Sequence, residues 1–297
     1  MHPAGSIIYF TVASGFGFGF LFFLGLNISP LEGQGAFWRY FLAYGLAVSG
    51  LLSSLLHLGN PQRAWKALSQ WHTSWLSREG VAAIAALVAL VPLSLGHIFI
   101  GADFSSSFAI YLGILGAILS GITVYCTAMI YGQLKTVPRW HQPLTPVLFL
   151  AFSFSGGAML AQIYGAALIG LLALFALQIA HWMLGDRCWH HSASTMETAT
   201  GLGAHEGQVR LLERPHTGKS YLTSEMVHQI GRKHGVKLRG LTLILLLSTG
   251  GALHIETYGL WLGALILGLA ALVSRWLFFA EAEHVVGLYY GRPKTKA

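Results

Sequence analysis

Three residues close together in the chain have the chemistry to hold and deprotonate a small ligand: His57, Arg63 and Glu79. An imidazole exchanges protons near neutral pH, a carboxylate accepts them, and a guanidinium offers a rigid set of donors. They fall in the stretch LLHLGNPQRAWKALSQWHTSWLSREG, residues 55–80, with apolar segments on both sides. Pro61 lacks an N–H and restricts Asn60 to extended geometry, so a helix ends there and His57 belongs to its last turn. That places the histidine near a headgroup boundary, where a ligand can arrive from lipid without crossing water. Both residues also have plain readings. His57 suits a helix C-terminus, stabilised by the dipole, and Glu79 suits the N-terminal cap of the next helix. A short connector nevertheless brings them to one side of the membrane, where a histidine and a carboxylate can take protons from a bound quinol as electrons leave.

The elements that position these groups follow from composition. Of 297 residues, 54% are hydrophobic and only 10% charged, against about 25% charged in soluble domains. Mean hydropathy is +0.60. Several apolar runs approach the ~20 residues that cross a ~30 Å hydrocarbon core, and they are apolar all round rather than alternating as a membrane β-barrel requires. The expected fold is an all-α polytopic membrane protein, a single integral-membrane domain over 1–297 with eight transmembrane helices.

These helices are expected at residues 7–26, 40–58, 80–99 and 108–129, then two within 144–184, then 238–255 and 260–279. The run 144–184 would make about 60 Å of continuous helix, so it must turn back, and Gln162, Tyr164 and Gly165 mark the place. In the first helix GFGFGF leaves small-residue grooves between aromatic ridges; these suit close helix packing better than a flat ligand. Pro61 to Leu68 reads as a short interfacial helix, and Pro92 interrupts the third span. One long polar segment, 185–237, is too rich in polar side chains for lipid and too rich in Leu, Val, Tyr and Met for a disordered linker. It is expected to dock a partner, with ERPHTGKSY as the contact.

Other chemistries are poorly supported. His57, His97, His181 and His254 are all expected near helix ends, which does not suit a bis-histidine haem. The CWHH run at 188–191 lacks an assigned fourth metal ligand. Cys126 lies in an apolar run and Cys188 in a loop, so no bridge joins them. The formal charge of +7 does not imply nucleic-acid binding, because the cations cluster between apolar runs where they orient a chain against anionic lipid. Arg63, Lys66 and Arg78, then Lys135 and Arg139, then the cations from Arg187 to Arg239 and those of the tail fall on alternate connectors. Positive-inside ordering puts both termini in the cytoplasm. MHPAGSIIYF has no basic n-region or Ala-x-Ala site, and reads as the start of the first helix.

LHLGNPQRAWKAL with SWLSREG closely resembles the membrane anchor subunits of the anaerobic dimethyl sulfoxide reductase family. The segment TGLGAHEGQVRLLERPHTGKSYLTSEM and the ending FAEAEHVVGLYYG are similar to the same family, so the likeness extends along the chain. A more distant likeness is to anchors of polysulfide and nitrite reductases. The resemblance implies a bacterial inner-membrane, multi-pass subunit of a three-subunit enzyme of anaerobic respiration. Menaquinol would be its diffusible substrate and it would hold no haem. Its partners would be a ferredoxin-like iron–sulfur subunit and a molybdopterin catalytic subunit. It also implies that His57 is the quinol-site histidine, Glu79 the acidic partner and Arg63 a further binding residue. The competing expectation is a transporter or a tether without redox chemistry. Transport favours ionisable or helix-breaking features at the midplane of paired repeats, which the chain does not display.

Overall fold

The computed structural model describes residues 3–28, 32–56, 60–101, 104, 106–192, 194–202, 209–213 and 234–290. Its elements are helical: α1 (Gly5–Gly25), α2 (Gly33–Leu55), a 3-10 segment (Pro61–Gln70), α3 (Trp75–Phe99), α4 (Ser107–Gly132), α5 (Leu144–Leu160), α6 (Tyr164–His190), a short α7 (Met196–Thr200), α8 (Gly235–Leu253), α9 (Gly259–Ala280) and a final 3-10 turn (Val285–Tyr290). Six of them, α1, α3, α4, α6, α8 and α9, are long and apolar enough to cross a membrane. The other two long helices fall outside that class: α5 is 17 residues long, and α2 carries Arg39 and several serines among its apolar residues. Length and composition therefore support six of the eight expected spans.

The first helix is the centre of the bundle. It packs on α2, α4 and α5, and its glycines make this possible. A Cβ on Gly17 would collide with the Ala47 backbone, one on Gly19 with the Ser153 carbonyl, and one on Gly157 with Gly19 in return. GFGFGF is thus a packing surface, as expected, with Phe18 and Phe20 fully buried between the glycines. Without a hydrophobic driving force between helices in lipid, such backbone approach is what supplies dispersion contact. The turn between α5 and α6 also falls where expected, with Gln162 at φ +61 and its side chain donating to the Met159 carbonyl at 2.7 Å.

Three boundaries depart from the sequence reading. Helix three begins at Trp75 rather than near 80, because Ser74 caps it by accepting from the Ser77 N–H. Arg78 and Glu79 are thereby drawn inside the helix. Helix two runs from Gly33 to Leu55, earlier at both ends than 40–58. Helix six continues past the apolar run to His190. Cys188 is consequently helical rather than in a loop, and His181 lies well inside α6 rather than near its end. Both cysteines are free.

Consecutive long helices alternate in direction, and one end of the bundle gathers the N-termini of α1, α3, α5 and α8 with the C-termini of α2, α4, α6 and α9. Arg63, Lys66, Arg78, Lys135, Arg139, Arg187, Lys237 and Arg239 lie at or near this end. We call it the basic end.

Candidate functional site

At the basic end the helices leave a cavity of about 470 Å³, within the 300–1,000 Å³ range of small-molecule sites. Its walls are Ile7 and Phe10 of α1, Leu51, Leu52 and Leu55 of α2, Ala64, Ala67 and Leu68 of the 3-10 segment, Leu76, Ala83 and Ile84 of α3, and Ile130 of α4. Few polar groups enter this lining: Ser54, Asn60, Arg63, Glu79 and Tyr131. Leu52, Leu76 and Ile84 are also exposed on the outer surface of the bundle. The cavity therefore opens sideways between helices, toward hydrocarbon, while the exposed Arg63 stands on its other margin.

Local sequence sets this geometry. Arg63 N–H donates to the Asn60 carbonyl, opening the 3-10 segment. Gly80 lets that segment lie directly on α3, since a Cβ there would stand 2.7 Å from Leu68 Cδ2. Arg78 fastens the connector's exit: Nε donates to the Trp71 carbonyl at 2.9 Å and Nη2 to His72 at 2.6 Å, with the guanidinium 4.4 Å from the Trp75 ring centroid. Arg78 is thus a brace for the connector rather than a ligand group.

Glu79 is 2% exposed and sits in the second turn of α3, so it is not the helix cap that its sequence position suggested. Its partner is across the helix interface. Thr127 Oγ1 on α4 lies 2.5 Å from Glu79 Oε1 and 3.0 Å from the Thr123 carbonyl. A hydroxyl has one proton, and here it faces two acceptors. With Glu79 ionised, Thr127 donates to it. With Glu79 protonated, the carboxyl donates to Thr127, which turns its own proton to Thr123. The pair accommodates both states of the carboxyl without moving a helix.

The structure brings Arg63 and Glu79 to one cavity. His57 lies outside the described residues, as does the ERPHTGKSY stretch beyond Glu213; in the chain His57 stands between Leu55 and Asn60, both of which line the cavity. Thr127 and Tyr131 were not singled out in the sequence. They sit one turn apart in the apolar stretch of α4, and only their spacing from each other, not any local motif, could have linked them to one face.

A second polar cluster lies at the same end. Arg239 bridges Asp186 and Glu281, at 2.8 and 2.9 Å, and Arg139 also pairs with Asp186. These contacts tie α6, α8, α9 and the α4–α5 loop together. Beneath them His181 is buried, with Nε2 3.4 Å from Thr145 Oγ1, and Ser274 donates to Gln178 at 2.8 Å. An aromatic layer separates this cluster from the cavity: Trp140 stacks on Phe278 and meets Tyr131 edge-on. At the opposite end His97 is buried against the Tyr40 hydroxyl, 3.0 Å away. Among the described residues no three His, Cys, Asp or Glu side chains gather as a metal site.

Residues 1–178 match the family described as DMSO reductase anchor subunit (DmsC), a region containing every element of the cavity. A sulfite dehydrogenase subunit of Allochromatium vinosum is 33% identical, the match covering 98% of this chain and 99% of that protein. One anaerobic dimethyl sulfoxide reductase chain of Escherichia coli is 29% identical over 38% of this chain and 39% of its own. Another from the same organism, YnfH, is 30% identical over 43% and 48%. Similarity along the whole chain is thus to the sulfite dehydrogenase subunit, while each match to a dimethyl sulfoxide reductase protein spans less than half of either partner in the comparison.

Proposed function

Since the chain belongs to the family of DMSO reductase anchor subunits, we propose that it anchors a multisubunit oxidoreductase in a bacterial inner membrane and exchanges electrons with a quinol in the cavity beside Glu79. In this reading all eight long helices cross the bilayer, α2 and α5 as direct neighbours of the buried α1. The partners are a ferredoxin-like iron–sulfur subunit and, beyond it, a molybdopterin catalytic subunit. The observation that carries the reading is an apolar cavity, open toward hydrocarbon, with a buried carboxylate at its inner wall. Menaquinol fits that chemistry: its chain lies among Leu52, Leu76 and Ile84 and its headgroup reaches Glu79. On oxidation it gives up two electrons, one after the other, to the iron–sulfur clusters of the partner and two protons to the site. One proton passes to Glu79, whose pairing with Thr127 switches as described. The second leaves from the other ring oxygen, by way of His57, with Arg63 binding at the margin.

The names of the relatives favour a second direction of flow. Electrons enter the substrate of a dimethyl sulfoxide reductase and leave that of a sulfite dehydrogenase, and the relative matched along the whole chain is of the second kind. The same groups serve both directions by microscopic reversibility. With a dehydrogenase partner Glu79 returns its proton to the quinone as it is reduced.

The test uses the assembled complex and compares quinol-linked turnover with turnover through an artificial dye that exchanges electrons directly with the soluble partners. General acid–base groups contribute roughly 10²–10⁴-fold, so Glu79→Gln and His57→Ala are each expected to lower the quinol-linked rate by about a hundredfold while leaving the dye-linked rate intact. An unchanged ratio in both variants would remove the cavity from the electron path and leave a tether.

A further inference from the structure

We propose that Tyr131 is a second ligand-binding group of the cavity, its hydroxyl meeting the same headgroup oxygen as the Glu79 carboxylate; this rests on the quinol reading above. Tyr131 is 9% exposed, and the face it does present belongs to the cavity wall. Its hydroxyl makes no hydrogen bond to the protein among the described residues, although a buried phenol normally finds a partner. The ring is held by aromatic neighbours on several sides: Trp140 and Phe279 at 5.3 Å, Phe278 at 5.7 Å and Phe149 at 6.0 Å between centroids. Such a ring does not turn away to find another acceptor.

Tyr131 and Glu79 line the same cavity, and the helix brings their positions together. Thr127 and Tyr131 are four residues apart on α4, hence neighbours on one face at about 5–6 Å between Cβ atoms, and Thr127 is the residue that touches Glu79. A donor that stays protonated at neutral pH and an acceptor therefore border the same volume. That combination selects a ligand oxygen able to accept from the phenol and donate to the carboxylate at once. A ring hydroxyl does both, and the carbonyl it becomes accepts from the phenol and from the protonated carboxyl. A methoxy group can only accept, and a hydrocarbon end does neither.

The full chain in lipid nanodiscs, titrated with menadione and its reduced form and read by quenching of tryptophan fluorescence, tests this without the partner subunits. Tyr131→Phe keeps the ring among its aromatic neighbours and removes only the hydroxyl. It is expected to weaken binding about tenfold, which corresponds to about 1.4 kcal/mol, the size of one hydrogen bond. Ile84→Trp fills the cavity from its lipid side and is expected to abolish saturable binding. If Ile84→Trp abolishes binding while Tyr131→Phe matches the parent chain, the quinol site stands and the role of Tyr131 is overturned. If Ile84→Trp binds like the parent chain, the ligand is not in this cavity and the quinol reading falls with it.

Discussion

At the residue scale Thr127 and Glu79, 48 positions apart in the chain, meet across the interface of α3 and α4. Read in sequence, Glu79 is a carboxylate at a helix start, and the simplest role for it is a cap. The fold replaces that role because Ser74 captures the first turn and moves Glu79 inward, against α4. Thr127→Val keeps the shape of the side chain and removes its hydroxyl, leaving a buried carboxyl oxygen short of a partner at a cost of about 1–3 kcal/mol. Lower thermal stability is expected from calorimetry, together with a quinol-linked rate between those of the parent and Glu79→Gln. Arg275 makes a different case. It is 2% exposed in α9, with its guanidinium 3.4 Å from the Phe149 ring centroid and Nη1 without a hydrogen-bond partner. Replacing a buried cation by an apolar residue of similar volume is often neutral or stabilising, whereas a lysine loses the planar stack and keeps the desolvation cost. Arg275→Met should therefore melt at or above the parent temperature and Arg275→Lys below it. Melting of Arg275→Lys at the parent temperature would show that the stack contributes nothing.

At the scale of elements, α1 decides whether the bundle closes. Gly19 and Gly157 face each other with no room for a methyl group, and overpacking of this kind costs about 1–3 kcal/mol. Gly19→Ala is expected to lower the melting temperature in nanodiscs, while Gly268→Ala in α9, where nothing stands within 4 Å of the added carbon, should leave it unchanged or raise it slightly. This part of the fold was legible in the sequence, since alternating Gly and Phe within an apolar run has few uses in lipid other than close packing. The α5–α6 turn was legible for a similar reason: a helix twice the membrane thickness has to reverse, and Gln162 was the polar break available. The cavity was legible only in part. Its connector, with Arg63 at one end and Glu79 at the other, follows from breakers and charge. Its far wall comes from Ile130 and Tyr131, and the partner of Glu79 there is Thr127, all apolar-run residues that no local motif distinguishes from packing. Helix six was read too short because hydropathy falls at Gly185 while the backbone continues; Arg239, itself in α8, offsets the charge of Asp186 beyond that point and holds the polar end of α6 in place.

For the whole molecule the decisive quantity is which way the basic end faces. Cations from four separate stretches of chain, 63–78, 135–139, 187 and 237–239, converge there although they are far apart in sequence. The opposite end carries Glu256 in a connector without lysine or arginine. Cytoplasmic retention acts on Lys and Arg near span ends rather than on net charge, so the expected orientation has the basic end, and both termini with it, facing the cytoplasm. Arg39 on α2 is the exception at the other end, and one residue against so many does not reverse the balance. Single cysteines at Ser69 and Glu256, in a chain lacking Cys126 and Cys188, distinguish the two orientations, because both positions are exposed. A membrane-impermeant maleimide added to intact cells is expected to label position 256 and to reach position 69 only after lysis. The same orientation bears on the polar segment. Replacing residues 209–221 by a neutral linker should release the soluble partners into the cytoplasmic fraction with the anchor still inserted. Labelling of position 69 in intact cells would turn the molecule over. The convergent cations would then be the docking surface for an external partner rather than a signal for insertion.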